Sequence, residues 1–315
     1  MPLNSNASSV SSEIDAIIAR AMQEYANAKG IDVFDDPQVP VDAAVNTAAS
    51  TGLPWDDAVI TEAAEPVHEE IPVNSGSLLV SETTSRFSSA VWFDNIQTKN
   101  VMLAGLGGIG SYVAFLLSRL NVNRVDMFDD DRVEAGNLSG QLFQSSHIGR
   151  FKVSAVADVM ANFSNYYNYN CFEERFEEGN SPEFIMMCGF DNMEARRNYF
   201  NSWKRFVEAL DEADKKKCLF IDGRLAAESF QVLCITGDAD YNIRRYEKDY
   251  LFKDSEAEET ICSYKQTTFM ANMIASVMVN LFVNFCANEC DPLVPRDLPF
   301  FTEYTAETMF FKVIN

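Results

Sequence analysis

Residues 101–111 read VMLAGLGGIGS, and the fold of the chain follows from this stretch. An apolar run leads into a glycine-rich turn, which predicts a buried strand, a tight turn and a helix that opens at Ser111. Glycine lets the backbone approach a phosphate where a Cβ atom would collide, and the free N–H groups of a helix start attract anions. The stretch predicts a nucleotide site, although a plain strand-to-helix turn has the same glycines.

An acidic cluster follows the next apolar run. Residues 125–128 predict a second strand, and Asp129 comes directly after it, followed by two further aspartates. Asp129 is about 20 residues beyond the last glycine of the turn, which is the spacing at which a carboxylate accepts hydrogen bonds from a ribose. The spacing therefore supports the interpretation of the glycine turn as a nucleotide site.

From Arg86 onward, apolar strands alternate with amphipathic helices, which is typical of parallel βαβ units. We predict an α/β fold with a Rossmann-like, doubly wound and mostly parallel sheet, closed by antiparallel C-terminal strands. A stripe of aromatic residues in the helix at 193–210 is predicted to be core. After the first strand, the predicted helices are 111–120, 149–163 and 193–210, and the predicted strands are 125–128, 170–176, 183–189, 218–222, 230–236 and two short ones in 300–313.

The first 85 residues differ in composition from the rest. They carry more than half of the net charge of −22 and few aromatic side chains, so they bury too little apolar surface to offset chain entropy. We expect a largely disordered acidic arm over 1–85, with one amphipathic helix over 12–28 that either docks on a partner or forms only transiently, and a nucleotide-binding domain over 86–315.

Charge and composition exclude several classes of function. The acidic balance argues against binding to nucleic acid or to an anionic membrane surface. The N-terminus has no pattern of a secretion signal, and the seven cysteines form no repeating framework, so we expect a cytoplasmic protein with reduced thiols. Residues 266–288 carry no charge and are long enough to span a bilayer, but their polar residues favour a buried helix.

Polar residues at ordered spacings extend the glycine turn into a larger pattern. Together they resemble the ThiF/MoeB/HesA family, which includes the ubiquitin-activating enzymes. A strand-and-helix scaffold does not need these polar residues for packing, so the resemblance is more specific than the glycines alone. The motifs are Gly105-x-Gly107-Gly108-x-Gly110-Ser111, Asp129-x-Asp131-x-Val133-x-x-x-Asn137-Leu138-x-x-Gln141, Gly149-x-x-Lys152 and Asp191-Asn192-x-x-x-Arg196.

The resemblance implies ATP-dependent adenylylation of a carboxylate, usually the C-terminus of a small ubiquitin-like or sulfur-carrier protein or of a peptide. It also implies ATP and Mg²⁺ as cofactors and a homodimer as the assembly. By similarity, the glycine turn cradles phosphate, Asp129 holds the ribose and Asp131 orders the adjoining loop. The remaining roles implied are contact with ATP for Asn137 and Gln141, contact with the phosphates for Lys152, and Mg²⁺ binding for Asp191. Taken singly, Lys152 also fits a surface lysine and Asp191 a helix N-cap.

Two arginines that the family pattern leads us to expect are missing. Gly140 stands where an arginine normally precedes the glutamine, and Ser89 stands near the place of an arginine that reaches into the partner subunit's site. Loss of one phosphate cation costs on the order of 3 kcal/mol of transition-state stabilisation, so slow or absent catalysis is one expectation. The nearby substitutes in sequence are Arg86, Arg132, Arg150 and Arg224.

Further family features are partial. Cys262 opens the long apolar segment and is the candidate for taking over the activated acyl group, although a half-buried structural cysteine fits as well. Arg224 closes a predicted strand and is a candidate contact for the acceptor carboxylate. The chain has no paired C-x-x-C motifs, so we expect no zinc.

Two other functions remain open at this stage. A catalytically degenerate scaffold that binds nucleotide or a protein tail explains the missing arginines. An NAD(P)-dependent oxidoreductase explains the glycines and Asp129 but leaves Asn137, Gln141, Lys152 and Asp191 without a role.

Overall fold

The structure is a computed structural model, which describes residues 80–252 and 266–315. All of them lie in one unit that spans residues 73–315. The predicted helix over 12–28, almost all of the predicted acidic arm and Cys262 lie outside the described residues, so what the sequence indicates about them stays a prediction.

One eight-stranded sheet organises the described chain. The strand order is β3-β2-β1-β4-β5-β6-β7-β8, in which β1 to β5 run parallel and β6 to β8 add antiparallel neighbours. This topology confirms the predicted α/β class and the antiparallel C-terminal strands. The strands are β1 (Asn100–Ala104), β2 (Arg124–Phe128), β3 (Tyr169–Phe172), β4 (Ile185–Cys188), β5 (Leu219–Ala226), β6 (Ser229–Thr236), β7 (Phe301–Thr305) and β8 (Phe310–Ile314).

Helices cover both faces of the sheet. Short 3₁₀ turns at Ala135–Ser139, Ser145–His147 and Ala306–Thr308 complete the elements. The α-helices are α1 (Val80–Thr83), α2 (Phe93–Ile96), α3 (Gly108–Leu120), α4 (Lys152–Ser164), α5 (Met193–Glu208), α6 (Glu212–Lys215), α7 (Asp240–Asp249) and α8 (Thr268–Cys290).

The alternation of side chains along β1 produces two separate cores. Val101 and Leu103 pack with residues of α3, α4 and α8 on one face. Met102 and Ala104 pack with residues of α5 and α7 on the other face. A strand buried on both faces needs apolar residues at every position, which explains why the run VMLA is continuous rather than alternating.

The aromatic stripe of α5 is core, as predicted. Tyr199, Phe200 and Trp203 are fully buried, and Phe206 is partly buried against the same cluster. The Tyr199 hydroxyl donates to the Met102 carbonyl at 3.0 Å, and the Trp203 indole N–H donates to the Phe184 carbonyl at 3.3 Å. These hydrogen bonds satisfy the two polar groups that the apolar layer would otherwise leave unpaired.

Helix α8 passes the length and composition test for a membrane span. In this fold its buried face packs on α3, β5 and β6, with Ile274, Met278 and Phe282 fully buried in the core. Packing inside the domain therefore accounts for its apolar character.

Several predicted boundaries are wrong for local reasons. Helix α3 begins at Gly108 rather than Ser111, so three of the glycines lie at or inside its first turn. Strand β3 ends at Phe172 rather than at residue 176. Its pairing with β2 stops there, because β2 itself ends at Phe128. Strand β5 runs past the predicted end to Ala226 because it forms a tight antiparallel hairpin with β6, in which Ala227 has a φ of 53°.

Candidate functional site

The glycine turn lies at the carboxyl end of β1, where the backbone is closely packed. Gly105 has a φ of 81°, and its N–H donates to the Phe128 carbonyl of β2 at 3.0 Å. A Cβ atom on Gly110 would lie 2.0 Å from the Gly105 carbonyl oxygen. Glycine is therefore required at 105 by the left-handed backbone and at 110 by the contact between the turn and the helix.

Asp129 ties the end of β2 to the glycine turn. Its carboxylate accepts from the Leu106 N–H at 2.6 Å and from the Asp131 N–H at 2.9 Å. Burial raises the pKa of Asp129, and Lys152 together with the two backbone N–H groups opposes this shift. Since each carboxylate oxygen keeps a further lone pair, the group has acceptor capacity left for a sugar hydroxyl.

Lys152 lies beside the same carboxylates. Its Nζ is 2.6 Å from Asp131 Oδ2, and its backbone N–H donates to the Asp131 carbonyl at 2.9 Å. The lysine side chain is 10% exposed and its aspartate partner 60% exposed. The first residue of α4 is thus a mostly buried cation whose counter-ion faces solvent.

A 3₁₀ turn contains Asn137, and the segment that follows it brings Gln141 over the glycine turn. Asn137 Oδ1 accepts from the Glu134 N–H at 2.8 Å. Ser111 Oγ accepts from the Leu142 N–H at 3.0 Å, which attaches this turn to α3. Gln141 lies over the glycine turn: its Nε2 is 3.8 Å from where a Cβ on Gly107 would be, and its Oε1 is buried without a hydrogen-bond partner in the described part of the chain.

Asp191 follows β4 at the same edge of the sheet. Its side chain is exposed, and Oδ1 accepts from the Asn192 amide at 3.2 Å. The N-cap of α5 is Asn192, whose Oδ1 accepts from the Ala195 N–H at 2.8 Å. The alternative role of Asp191 as the helix cap is therefore taken by its neighbour, and the Asp191 carboxylate faces solvent.

Arg224 lies in a buried ionic cluster at the end of β5. Asp222 is fully buried and accepts from Arg196 Nε at 2.7 Å, from Arg224 Nε at 2.8 Å and from the Tyr246 hydroxyl at 2.9 Å. Burial acts to raise the pKa of Asp222, but Arg196 and Arg224 outweigh it and the pKa is lowered. Arg224 also donates to the Tyr250 carbonyl at 2.8 Å. The structure thus commits its guanidinium largely to internal partners.

Two of the arginines near the missing cations in sequence, Arg132 and Arg150, have other contacts. The Arg132 guanidinium lies 3.7 Å from the centroid of the Phe151 ring and donates to the Gly149 carbonyl at 2.8 Å. Arg150 forms an ion pair with Asp158. Neither contact directs the arginine to the glycine turn.

Sequence analysis missed one cation at this edge, Arg175. Its Nε lies 2.9 Å from Asp130 Oδ2. The hydrogen bond to Asp130 raises the pKa of Arg175, and the charges of Asp131 and Asp191 add to the effect. Arg175 lies three residues beyond the end of β3, at the edge where the carboxyl ends of the parallel strands meet, but the predicted strand over 170–176 covered it and hid this signal.

One group of acidic residues has the geometry to hold a cation. Asp129, Asp130 and Asp131 each bring a carboxylate oxygen to within 4.8 Å of the others. Lys152 and Arg175 already neutralise two of these carboxylates. Asp191, whose carboxylate has no cationic partner at hydrogen-bond distance in the described part of the chain, remains the predicted Mg²⁺ ligand.

Comparison with models of known families shows to which family the chain belongs. The model of the ThiF family matches residues 85–314, which is most of the chain. The chain belongs to the ThiF family. The match includes the glycine turn, the acidic cluster, Asp191 and both antiparallel C-terminal strands, so the ThiF resemblance inferred from the motifs is confirmed.

Curated relatives of this ThiF chain include the ubiquitin-like modifier-activating enzyme 5 of several animals and an amoeba. The protein from Bombyx mori is 28% identical, with 44% of this chain and 41% of the relative covered. The protein from Gallus gallus is 31% identical, with 33% and 30% covered. The chain therefore matches less than half the length of these relatives.

Solved structures share the fold. PaaA superposes with a TM-score of 0.57 at 15% identity, covering 78% of this chain and 76% of that one. Escherichia coli MccB with ATP superposes with a TM-score of 0.53 at 15% identity, covering 76% and 73%. At this identity the superpositions establish the architecture and leave the residue roles to the geometry.

Proposed function

We propose that this ThiF protein catalyses ATP-dependent adenylylation of a carboxylate, namely the C-terminus of a small ubiquitin-like or sulfur-carrier protein or of a peptide. The observation that carries the proposal is the convergence of the four motifs. The Leu106 N–H to Asp129 contact of 2.6 Å and the Lys152 to Asp131 contact of 2.6 Å gather three of them at the ends of β1 and β2. Asp191, at the end of the adjacent β4, completes the edge.

The arrangement suits the chemistry of a mixed anhydride. An oxygen of the acceptor carboxylate attacks the α-phosphorus of ATP, the bond to the β-phosphate oxygen breaks, and an acyl adenylate and pyrophosphate result. Negative charge moves onto pyrophosphate, so a cation beside the phosphates lowers the barrier. Lys152 is the mostly buried cation in position to do so, while Asp129 orients the ribose.

Mg²⁺ fits the exposed carboxylate of Asp191. The ion prefers carboxylate oxygens and keeps several waters, and Asp191 is exposed enough to leave room for them. When bound, Mg²⁺ supplies charge neutralisation for the phosphates. The contact from Asn192 restricts the Asp191 side chain at the head of α5.

The relatives support the class of acceptor in this proposal. Curated relatives are named for activating a ubiquitin-like modifier, and one MccB structure contains a form of MccA. We extend the proposal to transfer of the acyl group to Cys262, in which the thiolate attacks the acyl adenylate, a thioester forms and AMP leaves. We also extend it to Arg224 as a contact of the acceptor carboxylate, to a homodimer and to a cytoplasmic location. These four points rest on the sequence and the family alone.

A second candidate is a nucleotide-binding scaffold without catalysis. It is favoured by the absence of a side chain at Gly140 and by the commitment of Arg132 and Arg150 to Phe151 and Asp158. No contact in the described residues favours the oxidoreductase, and membership of the ThiF family weighs against it.

The test is exchange of labelled pyrophosphate into ATP in the presence of candidate carriers with free C-termini. We expect carrier-dependent exchange by the full chain and a loss of about 100-fold in Asp191→Asn, because one ligand of the phosphate-bound cation is lost. Asp297→Asn is the matched control, since Asp297 is exposed and lies beyond the far end of α8.

Three results separate the candidates. Exchange that Asp191→Asn abolishes and Asp297→Asn preserves supports adenylylation. If the protein binds ATP but shows no exchange with any of the carriers, it is a nucleotide-binding scaffold without catalysis. Full exchange in Asp191→Asn overturns the assignment of the metal ligand.

A further inference from the structure

The side chain of Gln266 fills the space over the glycine turn. A Cβ atom built on Gly108 would lie 2.1 Å from Gln266 Oε1, and one built on Gly140 would lie 3.0 Å from both Cγ and Nε2 of Gln266. The carboxamide therefore lies between two glycines that are far apart in sequence. Any side chain at Gly108 would collide with it.

The backbone at Gln266 and the residue two positions after it are fixed to the same region. Gln266 forms a parallel β-bridge with Ala227, which directly follows β5. Two residues later, Thr268 Oγ1 donates to the Ser139 carbonyl at 2.6 Å. These contacts aim the side chain at the space between α3 and the 3₁₀ turn.

Two buried polar atoms in this region lack partners. Gln141 Oε1, above Gly107, and Thr267 Oγ1, next in sequence to Gln266, are buried without a hydrogen-bond partner within the part of the chain that the structure describes. Buried polar atoms are nearly always paired, because an unmade hydrogen bond is costly. The unpaired Thr267 hydroxyl can donate to a ligand oxygen, whereas the unpaired Gln141 oxygen needs a donor, which a ligand or a water molecule supplies.

Lys152 is the cation assigned to the phosphates, and Gln266 adds an uncharged donor beside Gly108 and Gly140. Position 140 has no side chain, and the contacts of Arg132 and Arg150 direct them elsewhere. The carboxamide of Gln266 has two N–H donors, the side chain is half-buried, and no ion pair or hydrogen bond holds it in the described structure. It is free to rotate about its side-chain bonds while its Cα stays fixed.

We propose that Gln266 is a phosphate-binding residue, whose carboxamide donates to an oxygen of the nucleotide's phosphate chain. This inference rests on the proposed function. A phosphate resting on the Gly108 N–H takes the position that the carboxamide fills in the described structure, so the side chain rotates and places Nε2 beside the phosphate. Gln266 is thereby a neutral donor where Gly140 offers no cation.

The experiment is calorimetric titration of the full chain and its variants with ATP and Mg²⁺, and separately with adenosine. In Gln266→Glu a carboxylate of equal size repels the phosphates, and we expect ATP affinity to fall at least about 10-fold. In Gln266→Met the donor is lost while the volume stays, and we expect a fall of about 3-fold to 10-fold. Adenosine affinity should stay unchanged in both variants.

Gln97→Glu is the matched control, because Gln97 precedes β1 at the opposite edge of the sheet and should leave ATP affinity unchanged. Thermal unfolding of each variant verifies that the fold is intact, and Gln266→Met keeps the test decisive if the glutamate variant does not fold. Unchanged ATP affinity in Gln266→Met refutes the role of Gln266 while the proposed function stands. Tighter ATP binding in Gln266→Met likewise refutes a donor role for the carboxamide. Failure of the wild-type protein to bind ATP refutes the proposed function.

Discussion

Two aspartates lie toward the same edge of the sheet, one after β2 and one within β5, with β1 and β4 between these strands, and their surroundings are opposite. Asp222 at β5 is fully buried between Arg196 and Arg224, and all of its partners are internal. Asp129 at β2 accepts from two backbone N–H groups and has Lys152 nearby rather than in direct contact. The first arrangement is closed to ligands, whereas the second leaves acceptor capacity at the surface of a turn.

The pKa directions express the same difference. At Asp222 the two arginines outweigh burial, so the pKa is lowered and the carboxylate is charged as a structural ion. At Asp129 burial outweighs Lys152 and the backbone donors, so the pKa is raised. A carboxylate that the protein incompletely stabilises gains from a further hydrogen-bond donor such as a ribose hydroxyl, which supports the assignment of the functional site to the β1–β2 end of the edge.

The largest effect on stability is expected at the buried Asp222, whose partners are all internal. Asp222→Asn leaves Arg196 buried without its counter-ion, so the free energy of unfolding should fall by about 3–5 kcal/mol. Urea denaturation measures the change, with Asp297→Asn as an exposed control. A loss below about 1 kcal/mol would show that the Asp222 cluster is not structural and would break the comparison.

At Lys152 we expect a large loss of activity and a small change in stability. In Lys152→Met the ion pair with the half-exposed Asp131 is lost, which costs little stability, while the phosphates lose their cation. We expect pyrophosphate exchange to fall about 100-fold, with a change in unfolding free energy within about 1 kcal/mol. Normal exchange by a well-folded variant would exclude Lys152 from the phosphate site.

A smaller effect is expected at Arg175, which is mostly exposed and paired with Asp130. Arg175→Gln removes a cation that lies close enough to Asp131 and Asp191 for their charges to act on it. We expect ATP affinity to fall about 3-fold to 10-fold, more at low salt than at high salt because exposed charges are screened. The control is Arg205→Gln, because Arg205 lies on α5 and forms an exposed ion pair with Glu178. Equal behaviour of the two variants would remove Arg175 from the site.

The smallest effect is a pair of opposite pH trends. The raised pKa of Asp129 means that its ionisation opposes folding, so the stability cost of Asp129→Asn should shrink as pH rises through the range above 3.8. The lowered pKa of Asp222 means that its charge favours folding, so the cost of Asp222→Asn should be full at neutral pH and shrink as pH falls below 3.8. Urea denaturation of both variants across acidic pH checks the trends, and parallel curves would contradict the contrast.

Local patterns predicted much of this molecule. The continuous run VMLA identified β1, the aromatic stripe identified the core face of α5, and the spacing of the glycine turn and Asp129 agrees with the contact that joins them. These features depend on neighbours in sequence, which periodicity and turn chemistry report directly.

Long-range contacts were not predictable in this way. Nothing near Gln266 in sequence indicates that it will lie between Gly108 and Gly140, and nothing near Arg224 indicates that it will share Asp222 with Arg196. Arg175 was missed because the predicted strand ran beyond its real end at β3 and covered the residue. Tertiary packing determines each of these positions.

The contact between Gly110 and the Gly105 carbonyl affects how mutational screens of this protein should be interpreted. Alanine at position 110 would push α3 away from β1 even without nucleotide. An inactive variant at this position therefore indicates a disrupted fold rather than a lost affinity for nucleotide. Deep scanning data would score both turn glycines as intolerant in an active enzyme and in an inert scaffold alike. Position 136, whose added Cβ meets nothing within 4 Å, offers a neutral site for a spectroscopic label on the adjoining turn.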